Sequence, residues 1–232
     1  MIHKKGAVKS ADVVSRTGLS RAYVHRYFKK LTDDGLIVLI GKANQAHYVI
    51  ASNKGKLPLK PSRIRKIVTN KGLAEDKILS QIKEDSSIFQ GIKSNVSSII
   101  DYAFTEMLNN AIEHSSSEKI DMTIMKTSMD IRFTITDQGV GIFNNIRKKK
   151  RLDSTMDAIQ DLLKGKETTA PEGHSGEGIF FTSKIADKMT IRSFEKKIVF
   201  DNICQDIYIK DVQPSRGTKV DFVLALKSKK TI

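Results

Sequence analysis

The stretch Ser52-Asn-Lys-Gly-Lys-Leu-Pro-Leu-Lys-Pro-Ser62 constrains the fold most, because neither helical nor alternating patterning crosses it. Proline fixes its own φ, lacks a donor and restricts the residue before it, so this segment reads as an extended connector. The 232 residues therefore divide into an N-terminal domain over 1–51, a basic linker over 52–66 and a second domain over 67–232. Charge divides the same way. Of 40 Lys+Arg and 26 Asp+Glu, a net of +14, residues 1–60 hold twelve basic and three acidic residues, a net of +9. The remainder holds 28 against 23, a net of +5. Such an excess favours polyanions, with nucleic acid the first expectation and an anionic surface the second. A single Cys excludes an intramolecular disulfide framework and a zinc ribbon. The opening MIHKKGAVKS lacks a signal-peptide apolar core and no 18 apolar residues run together, so a soluble cytoplasmic chain with no membrane partner is expected.

In the basic N-terminal part, Ser10 is expected to cap a short helix over Ala11–Arg16. Gly18 then turns the chain, and Ser20 caps a second helix through Leu31. Val24, Phe28 and Leu31 form its apolar stripe, while Arg21, Tyr23, His25, Arg26, Lys29 and Lys30 occupy the rest of its surface. Leu36–Ile40 and Ala46–Ile50 read as strands joined by a turn over Gly41–Gln45. Helix, turn, helix, hairpin is the order of a winged helix-turn-helix, and GLSRAYVHRYFKKLTDDGLIV resembles the second-helix-to-wing segment of bacterial winged-helix regulators. The resemblance covers roughly residues 5–50. It implies that Arg21, Tyr23, His25 and Arg26 contact a DNA groove or its phosphates, with Lys42 on the wing. A solvated or protein-docking surface is the competing reading.

The second part is built around a long amphipathic helix expected from Gly91 to His114. Glu106 and Asn110, four residues apart, share one of its faces. Lys119–Met125 and Ile131–Thr136 alternate as strands, and the second runs into Asp137-Gln-Gly139-Val-Gly141. Glycines there let backbone approach a planar ligand, with a carboxylate at the strand end. Gly173-His-Ser-Gly176-Glu-Gly178 opens a further helix, whose N-terminal N–H groups suit phosphate. Ser215-Arg-Gly217-Thr218 precedes an alternating strand over Lys219–Leu226.

In this order the segments resemble the GHKL, or Bergerat-fold, ATPase superfamily, and in wording its anti-sigma-factor serine kinases. FTEMLNNAIEH is similar to the N box, DQGVG to the G1 box, GHSGEG to the G2 box and RGT to the last box, over about residues 70–227. The resemblance implies an α+β chain: a winged helix followed by a two-layer α/β sandwich of the Bergerat type. It implies ATP and Mg²⁺ as ligands, with Asn110 holding the metal and Asp137 accepting the adenine amino group. Gly139 and Gly141 make room for the base, Gly176 and Gly178 line the phosphates, and Thr218 reaches the adenine edge. His114 and His174 are further candidate contacts, each with a plain solvated or helix-end alternative. Residues 142–175 are expected to form a lid over the nucleotide, and the run Arg147–Arg151 either touches phosphate or a partner, or is simply solvated.

Glu106 decides the chemistry. In relatives that hydrolyse ATP or phosphorylate serine, a glutamate here is the general base; in a pure nucleotide sensor it orders water or the metal shell. All five histidines fall in the winged helix or the ATP boxes, so no phosphoacceptor hairpin is expected. The short stretch after the last box leads us to expect no transducer domain, and Glu113 departs from the small or basic residues often found at its place. Two functions remain open at this level: a DNA-binding transcription regulator coupled to Mg-ATP binding or hydrolysis, or an anti-sigma-like protein kinase or partner switch. Whether the chain pairs with itself also stays open.

Overall fold

A computed structural model describes residues 7–51, 62–164 and 177–232. By its internal contacts the chain separates into two units, Met1–Pro58 and Leu59–Ile232.

The first unit comprises β1 (Ala7–Val8), α1 (Ser10–Thr17), α2 (Arg21–Asp33), β2 (Ile37–Ile40) and β3 (His47–Ile50). Its three strands are ordered β1-β3-β2 and pair antiparallel. Ser10 lies inside α1 instead of capping it: Lys9 is the N-cap, and its N–H donates to the Asp12 carboxylate at 3.1 Å. An acidic residue in the first turn thus satisfies the donor, as the helix dipole favours. Gly18, at φ 67, ends the helix in the left-handed conformation, its N–H donating to the Val14 carbonyl at 2.9 Å. Ser20 caps α2 as expected, its Oγ accepting from the Tyr23 N–H at 3.2 Å. Val8, Val24, Phe28, Ile37 and Tyr48 make the core, with the Phe28 and Tyr48 rings 4.4 Å apart edge to face.

The second unit comprises β4 (Ser62–Thr69), α3 (Glu75–Asp85), α4 (Ser94–His114), β5 (Lys119–Lys126), β6 (Asp130–Asp137), α5 (Ile142–Lys150), α6 (Thr155–Lys164), α7 (Glu177–Ile185), β7 (Lys188–Ser193), β8 (Lys196–Asp201), β9 (Asp206–Asp211) and β10 (Thr218–Ala225). The seven strands run β4-β5-β6-β10-β7-β8-β9, every neighbouring pair antiparallel. Residues 62–66, assigned to the linker, are the start of β4: Ile64, Lys66 and Val68 sit opposite Ile124, Met122 and Ile120 of β5. Strand alternation resumes at once after Pro61, and pairing with β5 overrides the extended-linker reading.

One sheet face is covered by helices. Ile120, Met122 and Ile124 of β5, Ile131, Phe133 and Ile135 of β6, and Val220, Phe222 and Leu224 of β10 point into the core. Phe133 stacks on Phe222 at 4.9 Å, and Phe104 of α4 meets Phe133 edge-on at 5.4 Å. Val96, Ile99, Ile100, Ala103, Phe104, Met107, Leu108 and Ala111 bury the stripe of α4. This two-layer packing places Glu106 and Asn110, both half-buried, along the border of the same stripe.

The lid reading gives way for residues 142–164. They form α5 and α6, anchored by Phe143, Ala158, Ile159 and Leu162, all at most 3% exposed. Buried apolar residues at helical spacing hold this part of the segment to the core. The rest of the expected lid lies outside the described residues.

Candidate functional site

The site forms where the C-terminal end of β6 meets the N-terminal end of β10. Antiparallel register sets Thr136 opposite Lys219, which brings Thr218 beside Asp137 although 81 residues separate them. Asp137 is only 4% exposed. Its Oδ1 accepts two backbone donors, the N–H of Gly139 at 2.9 Å and that of Thr218 at 3.3 Å. Burial pushes the Asp137 carboxyl above the ordinary carboxylate range, and the bonds from Gly139 and Thr218 pull partly against it. The Thr218 hydroxyl in turn accepts the Ile142 N–H at 2.9 Å, tying the start of α5 to β10.

Three glycines permit this closeness. A Cβ on Gly139 would lie 1.7 Å from the Ser115 carbonyl oxygen, which itself accepts the Val140 N–H at 2.8 Å. Gly141 and Gly217 have φ of +80 and +75, and a Cβ on them would meet Ser193 Oγ at 2.6 Å and the Asp137 carbonyl oxygen at 2.1 Å. The loop Asp137–Gly141 is thereby pressed between the end of α4 and the turn before β10.

Above Asp137 lies an apolar cavity walled by Met107, Ala111, Ile135, Ile142, Ile179 and Ile191. Asn110, His114, Asn145, Lys149 and Thr218 supply its polar groups. A slot of aliphatic walls with one buried carboxylate suits a flat heterocycle that offers a donor to that carboxylate. Asn110 donates its amide nitrogen to the Glu106 carbonyl at 2.7 Å, and its amide oxygen is of the donor type a hard cation takes. Glu106 packs on the first turn of α7: a Cβ on Gly178 would fall 2.0 Å from its Oε2. His114 lines the cavity, with its Nε2 3.7 Å from Glu113. His174 and Gly176 lie outside the described residues. Asp137, Gly139, Gly141, Thr218, Asn110, His114, Glu106 and Gly178 therefore gather around one cavity and its margin.

A model of the histidine kinase-like ATPase domain matches residues 77–200. The chain belongs to this family. A winged helix-turn-helix DNA-binding model matches residues 1–38, so the histidine kinase-like ATPase domain is joined here to a DNA-binding module. Comparison with curated proteins gives no match. No helix among the described residues is long and apolar enough to cross a membrane.

In the winged unit, Arg21, His25, Arg26 and Lys42 are exposed, as a DNA-facing surface requires. Tyr23 is not. It is 8% exposed, and its ring lies 5.5 Å from that of Tyr27, so the buried face of α2 is one residue wider than the Val24/Phe28/Leu31 stripe. Its assignment to the DNA surface is therefore corrected.

Sequence reasoning passed over Asn145 and singled out Lys149 only as part of a basic run. Asn145 donates its side-chain amide to the His114 carbonyl at 3.3 Å, and Lys149 reaches the cavity while Lys150 pairs with Asp161 at 2.6 Å. Their helical spacing from Ile142 and Ile146 was the available signal, since all four share one face of α5.

Proposed function

We propose that this chain is a transcription regulator whose winged helix binds DNA and whose histidine kinase-like ATPase domain modulates that binding through Mg-ATP. The observation that carries the reading is the buried Asp137 at the floor of an apolar slot, in a chain that also bears a DNA-binding module. The residues present fit the nucleotide. Asp137 would accept the adenine amino group, Gly139 and Gly141 admit the ring, and Thr218 holds the adjoining edge. The Asn110 amide oxygen and the phosphates would together hold Mg²⁺, which takes few protein ligands when a nucleotide supplies the rest. Magnesium would supply charge neutralisation between phosphate oxygens.

A gel-shift titration with and without Mg-ATP tests the coupling. We expect ATP to change DNA affinity in the native chain, and Asn110→Ala to abolish that change while nucleotide-free DNA binding persists. An ATP response that survives Asn110→Ala removes the assignment.

Glu106, packed on the first turn of α7, favours a second reading in which the site also transfers phosphate to water or to a protein hydroxyl. A carboxylate beside a phosphate-binding turn is placed to accept the proton of an attacking hydroxyl. Glu106→Ala is expected to retain ATP binding and lower turnover by about 100-fold or more, the range of a general base. Unchanged release or transfer of labelled γ-phosphate would leave Glu106 with no role as base.

A further inference from the structure

The sheet face opposite the helices carries a charge pattern that nucleotide binding does not use. Register places Lys219 of β10 opposite Arg192 of β7, Arg192 opposite Lys197 of β8, and Lys197 opposite Lys210 of β9. Four cations thus stand in one row across four adjacent strands, on the face away from the buried Val220, Ile191 and Ile198. Directly opposed like charges weaken a sheet, so such a row runs against what folding alone favours.

Neighbouring groups do little to neutralise it. Lys219 comes no nearer than 3.6 Å to Asp221, whose carboxylate also accepts the Thr134 hydroxyl at 2.7 Å. Arg192 donates to the Gln213 carbonyl at 2.8 Å, and its buried Nε has no partner. Lys210 rests 5.0 Å from the Tyr208 ring, and among the described residues neither Lys197 nor Lys210 makes an ion pair. On other positions of this sheet Arg65 pairs with Asp121 and Arg132 with Asp130, each at 2.6 Å, and Lys188 with Asp201 at 3.1 Å. Among the described residues no other register row of this sheet sets four cations side by side.

We propose that this row is a second DNA contact, a phosphate-binding track on the ATPase domain for the duplex held by the winged helix. Strand spacing of about 4.8 Å makes the row about 14 Å long. Duplex DNA presents one charge per about 3.4 Å of axis on each strand, so a track of that length meets several phosphates. A regular row suits a polymer of regularly spaced charges. On one flank the row Asp221, Thr190, Val199 and Tyr208 keeps Thr190 and Val199 buried; on the other the exposed Phe194 is followed by the exposed acid Glu195, a pairing that an anionic bilayer does not favour. The track holds backbone and reads no bases, so it adds affinity without sequence preference. The inference rests on DNA binding by the winged unit.

The test uses the full chain and a duplex of about thirty base pairs, titrated across salt concentration. The triple variant Lys197→Ala/Lys210→Ala/Lys219→Ala spares Arg192, which holds a backbone carbonyl. We expect the slope of log affinity against log salt to become shallower by about 2 to 3, at about 0.9 for each phosphate no longer neutralised. ATP binding should stay as in the native chain and the melting temperature should not fall, which shows that the fold is intact. An unchanged slope overturns the track. So does row-dependent binding to phosphatidylserine vesicles with an unchanged DNA slope, which would assign the cations to a lipid surface. Arg21→Ala/Arg26→Ala separates the underlying reading: native-like DNA binding in that variant removes the winged helix as the primary contact, independently of the row.

Discussion

Asp137→Asn is expected to lower ATP affinity by roughly 10- to 100-fold and to erase the preference for ATP over GTP. A hydrogen bond to a buried charged acceptor contributes about 1.5–3 kcal/mol, and each 1.4 kcal/mol is about tenfold in affinity. Oδ1 already receives the Gly139 and Thr218 N–H groups, so the proposed adenine contact is assigned to the other oxygen. The asparagine keeps the first oxygen and puts an NH₂ in place of the second, so donor then faces donor. Guanine carries a carbonyl where adenine carries its amino group and would meet that NH₂ favourably. Calorimetric titration with both nucleotides reads the effect directly. If the Asp137→Asn variant binds ATP as the native chain does, Asp137 does not read the base.

The same carboxyl makes binding depend on pH, with a sign that follows from its raised pKa. The ionised form accepts the amino group, so affinity is complete above the folded-state pKa and falls as pH drops through it. Because burial has raised that pKa, the loss sets in at a higher pH than an ordinary aspartate would give. Stability runs the other way. A carboxyl whose pKa is raised on folding contributes most below its unfolded value, and the contribution is lost as pH rises through the folded value. Relative to the native chain, Asp137→Asn should flatten both trends. A native affinity profile identical to that of the variant would contradict the assignment.

How much of this site was legible depended on whether a residue's position follows from its own element. Glu106 and Asn110 follow from one helix, and Asp137, Gly139 and Gly141 from one strand and its exit, so spacing along the chain set them together, while their roles came from the resemblance. Thr218 needed β10 to insert between β6 and β7, a pairing that local pattern does not encode; only the resemblance placed it. The Ser115 carbonyl that forces glycine at 139 is a backbone atom and leaves no mark in the sequence. Strands β7 to β9 were not read, because each is six residues long with two or three apolar residues, consecutive in β8 and β9, and no sustained alternation marks them. Residues 142–164 looked polar along the chain, yet Phe143, Ile159 and Leu162 are enough to seat two helices. Tyr23 failed for a related reason: a tyrosine reads as amphipathic, and the width of the buried face decides which side wins.

Gly217→Ala should produce a large loss of stability, with Gly72→Ala as its control. Both glycines have positive φ, +75 and +62, so both alanines incur the left-handed penalty of roughly 1–2 kcal/mol. Their surroundings differ. Nothing lies within 4 Å of a Cβ at Gly72, whereas one at Gly217 would fall 2.1 Å from the Asp137 carbonyl oxygen and 2.7 Å from Gln138 Cα. Those atoms are backbone, held by the β6–β10 ladder and by the two donors on Asp137, so they cannot swing aside as a side chain would. Overpacking of this kind adds about 1–3 kcal/mol to the conformational term. At roughly 2–4 °C per kcal/mol for a chain of this size, we expect a fall in melting temperature of about 4–20 °C for Gly217→Ala. For Gly72→Ala the same scale gives about 2–8 °C. Relief of the clash can come only by parting β10 from β6, which would pull Thr218 from Asp137, so ATP affinity should fall with stability in Gly217→Ala and stay native in Gly72→Ala. Equal melting shifts in the two variants would show that φ alone sets the cost and that the packing of Gly217 on Asp137 contributes nothing.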